Sequence, residues 1–222
     1  YPAGPPTLTA AEYERIERDA RAAYRPGFTV RMPSPYYIAR FEVTQAQWQS
    51  VMGNNPSAFN AATLGADTSR HPVDSITWEQ AKEFVRRLNR LEATDAYRLP
   101  TEFEWEYAAR AGRQDELSWT EARREAYIGL GGNRSTRPVG SMQPNPWGLH
   151  DMLGNVWEWV EDFYNGKLFA DPVPPSTGHV HVLKGGGFVA DVKNATYNTH
   201  AAGPGNGFDV GLRIVKRIDA GR

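Results

Sequence analysis

The chain has 222 residues, a formal net charge of −1 and no cysteine, which excludes disulfides, thiolate metal centres and thiol catalysis from its chemistry. That charge balance gives no electrostatic reason to expect nucleic acid or an anionic membrane as partner, and no apolar run reaches the roughly 18 residues of a membrane span. The 21 Gly and 16 Pro, with 7 Trp, 10 Tyr and 9 Phe, indicate aromatic-anchored irregular loops rather than a helical bundle.

In chain order, residues 1–8 form a Pro-rich terminus. A helix is predicted over 9–24, capped by Thr9, with Tyr13, Ile16, Ala20 and Tyr24 on one face. Three prolines punctuate 25–35, and the aromatic, β-branched run Tyr36–Val43 reads as a strand. Three capping boxes follow, each pairing a Thr with a Gln or Glu three residues on. Thr44 and Gln47 open a short helix ending near Met52-Gly53. Thr77 and Gln80 open a longer one with Ala81, Phe84, Val85, Leu88 and Leu91 as its apolar stripe. Thr101 and Glu104 open a third, which runs through Ala111 and stops at Gly112. Residues 112–145 are polar and poorly periodic, and read as a long loop.

The stretch Trp147–Glu161 holds three tryptophans, with Gly148 and Gly154 where the backbone can bend. Asp151 and Glu158, seven residues apart, can aim two carboxylates and the intervening carbonyls at one hard cation; equally, they can be solvated acids at a Trp-rich core corner. A Pro-rich loop at 171–175 precedes an alternating strand, His179–Lys184, that runs into Gly185-Gly186-Gly187. A final strand pair is predicted from Phe188–Val192 and Gly211–Val215. Without internal repeats, and with few strong strands, the pattern is that of one α+β domain over 36–222, preceded by an extension over 1–35.

Four segments in order resemble the formylglycine-generating enzyme family, also called the sulfatase-modifying-factor domain. They are Phe41-Glu-Val-Thr-Gln45, His71-Pro-Val-Asp74 with Thr77-Trp78, Tyr97-Arg-Leu-Pro-Thr-Glu-Phe-Glu-Trp-Glu-Tyr-Ala-Ala-Arg110, and Pro144–Trp159 continuing to Lys184-Gly-Gly-Gly187 and Gly211-Leu-Arg213. The resemblance implies a C-type-lectin-like α+β fold with little regular secondary structure. It departs from the family at the amino end, where Arg25–Pro35 lacks the usual Met-Gly-Ser turn. The family's aerobic enzymes bind copper and work through two cysteines after a Gly-Gly-Ser turn. Aligned on Gly185-Gly186-Gly187, those cysteines fall at Ala190 and Ala195, and the serine at Gly187. Formylglycine generation by that route is therefore excluded, and copper is not expected.

The resemblance also implies one structural Ca²⁺, held by the side chains of Asp151 and Glu158 and the carbonyls of Gly154 and Val156. The family's other calcium site is expected to be absent or altered, because the loop after Tyr127-Ile128 lacks its Asn and Asp. Cysteine-free members assist maturation of the siderophore pyoverdine in the periplasm by oxidising its precursor chromophore. That implies an exported protein with a small-molecule or peptide substrate. The alternative is a non-catalytic lectin-like binding module, either a variable protein or an envelope component.

On that resemblance, the ligand pocket is expected at Gly187, Phe188, Ala190, Ala195 and Asn198. His200, Tyr197 and Trp157 are the candidates for catalysis. His200 reads as an acid/base group or as a buried structural histidine. His179 and His181 share a strand face, but two ligands lack the third that a transition metal needs. His71 reads as a loop anchor and His150 as a turn edge. Asn194, Asn206, Phe208 and Asp209 lie in the segment that forms the ligand face of lectin-like domains, and can equally be ordinary loop residues.

Overall fold

Helices start where a side chain can satisfy the first free backbone N–H groups, and this chain meets that condition repeatedly. In the computed structural model, which describes residues 9–12, 14–15, 18, 28–129, 134–168, 173–191, 195–203 and 207–218, Thr44 caps α1 (Gln45–Met52), and Gln47 reaches back to the Thr44 N–H at 2.9 Å. Asn60 caps the single turn α2 (Ala61–Leu64). Thr77 and Thr101 form full capping boxes for α3 (Trp78–Leu91) and α4 (Glu102–Arg110). A fourth box, Ser118 with Glu121, opens α5 (Trp119–Glu125) inside the region expected to be loop. The amino-terminal helix is helical at 10–12, 14–15 and 18, while its expected apolar face lies outside the described residues.

Strands are short and form two sheets among the described residues. The first orders β1 (Tyr36–Ile38), β7 (Val215–Arg217) and β2 (Tyr97–Arg98), all antiparallel. In the second the order is β5 (Ala201–Ala202), β4 (His181–Lys184), β3 (Trp157–Phe163), β6 (Val210–Leu212). There β3 runs antiparallel to β4, with Glu158 opposite Lys184, and parallel to β6, with Glu158 opposite Gly211.

Strand alternation on β3 divides the core. Val160 packs with Trp105, Ile128, Met152, Val182, Ala195 and Tyr197. Trp159 points the other way, into Trp48, Ile76, Phe84, Leu99, Leu183 and Leu212, with Trp157 against the same cluster.

Several boundaries differ from the sequence expectation. The first strand stops at Ile38; beyond it Ala39 and Val43 still donate to the Ile214 and Leu212 carbonyls, and Glu42 turns inward to accept the Val156 N–H. Leu91, the last position of the α3 stripe, is 67% exposed. Phe188–Val189 is a turn closed by the Ala190 N–H on the Gly187 carbonyl at 2.9 Å, not a strand; residue 192 lies outside the described residues. The expected terminal strand 211–215 divides between two sheets, as β6 and β7. The stretch 147–161, which had no predicted element, supplies most of the central strand β3.

Candidate functional site

The turn after β4 is built from close approaches that only glycine tolerates. Gly185 and Gly186 have φ of 90° and 76°, in the left-handed region. A side chain on Gly185 would meet the Trp105 ring and the Met152 carbonyl, each at 3.1 Å. On Gly186 a Cβ would lie 3.1 Å from the Ala195 Cβ and 3.2 Å from the Ala190 Cβ, so those two methyl groups flank one glycine. On Gly187 it would fall on the Asp209 carboxylate. Hydrogen bonds tie this turn to the Trp-rich stretch: Gly154 donates to Gly185 O and Phe188 to Asn155 O, both at 2.9 Å.

A polar network from α4 lies beside the turn. Glu102, Glu106 and Arg110 occupy successive i, i+4 positions on one helical face. Glu102 Oε1 meets His200 Nδ1 at 2.6 Å, and the wholly buried Lys184 ammonium sits 3.6 Å from Glu102 and 3.5 Å from Glu106. His200 Nε2 contacts the Asn165 carbonyl at 2.9 Å, and its ring stacks on Tyr164. A carbonyl only accepts, so the contact to Asn165 uses Nε2 as donor, while Nδ1 faces the Glu102 carboxyl. Both nitrogens of His200 are thus engaged.

Arg110 donates to Asn198 Oδ1 at 2.6 Å and lies over the Tyr197 ring, while Arg113 donates to the Tyr197 hydroxyl at 3.0 Å. Burial pushes Tyr197 up to about 12 and also raises Glu116, which accepts the Tyr197 N–H.

The structure therefore gathers Gly187, Ala190 and Ala195 at one turn, and links Tyr197, Asn198 and His200 to α4. It does not bring Trp157 to them, since β3 aims that side chain at the opposite core. Phe188 is buried against Phe59 and Phe208. His181 is sandwiched between Trp78 and Phe163, and His179 is exposed before the strand begins. Thr136 holds His71, and the Met142 carbonyl holds His150. Asn194 and Asn206 lie outside the described residues. Glu102, Glu106 and Arg110 were missed in the sequence, although their spacing was a visible signal.

The expected calcium ligands are all buried. Asp151, at φ 56°, accepts the Gly140 N–H at 2.6 Å. Gly154, at φ 97°, presses on the Tyr127 backbone where a Cβ would collide. Glu158 has no exposure: Arg213 reaches it at 2.9 Å and 3.1 Å, and the Trp105 indole at 2.7 Å. Glu42 joins them as a third acid, holding Asn155 Nδ2 and the Val156 N–H. Its carboxyl is pushed well up, chiefly by burial and then by Asp151 and Glu158, against the single guanidinium of Arg213. Among the described residues no three Asp, Glu or His side chains converge as a metal-holding group. An ion here would depend on the Gly154 and Val156 carbonyls and share Glu158 with Arg213. The oxygen-only donors and excess of carboxylates fit a hard cation on those terms.

The sequence profile of the FGE-sulfatase family, described as a sulfatase-modifying factor enzyme 1-like domain, matches residues 2–218. The chain belongs to this family. The match begins well upstream of Phe41, where the first of the individual motifs starts. Chaperone protein LppX of Paenibacillus barcinonensis is 30% identical over 238 residues, covering 82% of this chain and 80% of that protein. A formylglycine-generating enzyme of Streptomyces coelicolor is 37% identical over 140 residues, but that covers 54% of this chain and only 42% of the enzyme.

Among solved structures, Treponema denticola variable protein 1 superposes with a TM-score of 0.73 at 27% identity, covering 87% of this chain and 90% of its own. PvdO from Pseudomonas aeruginosa superposes with a TM-score of 0.67 at 23% identity over 85% and 83%, a likeness of fold. The fold is that of the FGE-sulfatase family, an α+β domain with little regular structure, in a chain without cysteine. No helix of the described residues is long and apolar enough to cross a membrane.

Proposed function

We propose that this chain is an exported accessory protein of peptide maturation that binds a small-molecule or peptide substrate where Ala190 and Ala195 flank Gly186, without thiol chemistry. In its specific form, the substrate is the precursor of a peptide siderophore of the pyoverdine type. The observation that carries this reading is the convergence of Ala190 and Ala195 on Gly186. The glycine frame that would bring two thiols together is retained, with two methyl groups in their place. A turn of the family's shape without reactive atoms suits binding and positioning, and no redox step is assigned to this chain. A structural Ca²⁺ at Asp151, Gly154, Val156 and Glu158 completes the proposal, holding the Trp-rich stretch against the turn. The test is mass spectrometry of secreted peptides from a deletion strain. Accumulation of an immature precursor, reversed by the wild-type gene, supports the role, and an unchanged profile removes it.

A second reading, a protein-binding module, is favoured by one observation. The candidate acid/base groups are occupied internally: His200 at both nitrogens, and Tyr197 by Arg113. The relative covered to 80% of its length is named a chaperone, which accords with this reading. A binding module of this kind leaves the small-peptide profile unchanged and instead alters the folding yield of a secreted protein.

A further inference from the structure

Trp147 stands half in solvent on a rigid turn. Asn145 Oδ1 accepts the backbone N–H groups of Trp147 and Leu149, both at 3.0 Å, and Gly148 at φ 81° lets the chain reverse. Asn145 Nδ2 donates to the Ala108 and Ala109 carbonyls at 2.9 and 3.1 Å, so one buried amide fastens this turn to the end of α4. That helix carries Tyr107, whose ring meets Trp147 edge to face at 5.1 Å. Trp147 is 49% exposed and Tyr107 50%, so neither ring is used up by the core.

Both rings line a groove of about 420 Å³, within the size range of small-ligand and peptide pockets. Most of the remaining lining comes from the segment that enters β1, including Met32, Pro33, Pro35 and Tyr36. Tyr36 is fixed there by its hydroxyl, which donates to the Glu104 carbonyl at 2.8 Å, and the two prolines fix their own φ. Strand alternation turns the next residue, the exposed Tyr37, away from the groove. None of the residues lining the groove is charged. The Trp147 indole N–H and the Tyr107 hydroxyl donate to none of the described residues.

An uncharged groove of Trp, Tyr and Pro offers an ionic ligand nothing. It offers apolar rings a flat aromatic bed, and offers carbonyl oxygens two donors. A polyproline II helix presents both groups: its backbone carbonyls have no internal partner, and it is already extended, so little order is lost on docking. An oligosaccharide also stacks on aromatic rings, but no carboxylate or amide lines this groove to hold its hydroxyls. We propose that the groove binds a proline-rich peptide segment in the polyproline II conformation. Its proline rings pack on Trp147, Tyr107 and Tyr36, and the indole N–H and the Tyr107 hydroxyl donate to its carbonyls. The groove shares no residue with the turn at Gly186, so this is a second recognition surface, independent of the maturation role.

The experiment is calorimetric titration of the whole chain with acetylated, amidated octaproline, with a Gly-Ser octapeptide and with maltotetraose. Saturable binding of octaproline alone is expected. Trp147→Ala should weaken it about tenfold or more, the scale of an aromatic anchor. Trp147→Phe, which keeps a ring and removes the N–H, should weaken it severalfold, the scale of one hydrogen bond. Tyr107→Ala, also at a half-exposed position, should weaken it severalfold and serves as the second probe if Trp147→Ala fails to fold. Tyr37→Ala should leave the affinity unchanged. No saturable binding of octaproline, equal binding of the Gly-Ser peptide, or an affinity unchanged in Trp147→Ala would overturn the proposal. So would binding of maltotetraose in place of octaproline, which would assign the groove to carbohydrate.

Discussion

Glu158 and Arg213 face each other across β3 and the end of β6 with no solvent contact, joined by contacts of 2.9, 3.1 and 3.2 Å. Arg213 also donates to the His150 and Ala39 carbonyls, so one side chain fastens the Trp-rich stretch to β1 and β6. Removing one member of a buried pair strands the other charge. Arg213→Met should lower unfolding free energy by about 3–5 kcal/mol in urea titration. Retention of wild-type stability would mean that the pair does not hold these elements together.

The calcium proposal makes a separate claim about the same residues. Added Ca²⁺ should raise the melting temperature and EDTA should lower it, because an ion that binds only the folded state stabilises it by mass action. Asp151→Asn should blunt the response to calcium more than it changes the melting temperature in EDTA. Identical melting curves in calcium and EDTA would remove the ion.

Asp74 should make stability fall as pH rises. Burial pushes its carboxyl up to about 6 from the ordinary 3.8, so the folded state holds its proton more tightly than the unfolded chain does. That contribution is full below the unfolded value and is lost as pH rises through about 6. Other carboxylates cancel in a comparison with Asp74→Asn. The stability of the variant relative to wild type should increase between pH 4 and 6, by on the order of 2 kcal/mol. A pH-independent difference would contradict the burial of a protonating Asp74.

His200 should behave as a structural histidine. His200→Ala leaves Glu102 without its 2.6 Å partner and the Asn165 carbonyl without its 2.9 Å donor. The expected loss is about 2–3 kcal/mol by chemical denaturation, whereas His179→Ala, at an exposed position, should change stability by less than about 0.5 kcal/mol. Equal, small effects would free His200 for a chemical role.

Local signals in the sequence located what they govern. The boxes at Thr44, Thr77 and Thr101 mark real helix starts, because capping depends on residues three apart. The Ser118 box carries the same signal, yet its helix has a single fully buried residue, Ala122, and so little apolar periodicity. Strand β3 was not evident because it is buried on both faces and its Trp-Glu-Trp-Val run does not alternate cleanly. The glycine turn and the positions of Ala190 and Ala195 followed from the family motif. The neighbours that define the site did not. Asp209 meets Gly187, Glu42 meets Val156 and His200 meets Glu102 only through the crossing of distant elements, which no local pattern encodes.

The proposed role puts the substrate at the turn where the buried Ala190 and Ala195 flank Gly186, and filling that turn tests the role most directly. The deciding measurement is mass spectrometry of secreted peptides from the deletion strain carrying either the wild-type gene or Ala190→Trp, with expression and folding of both proteins verified. The proposed role predicts that wild type restores the mature product while Ala190→Trp leaves the precursor accumulated. Identical spectra from the deletion, wild-type and Ala190→Trp strains would contradict it.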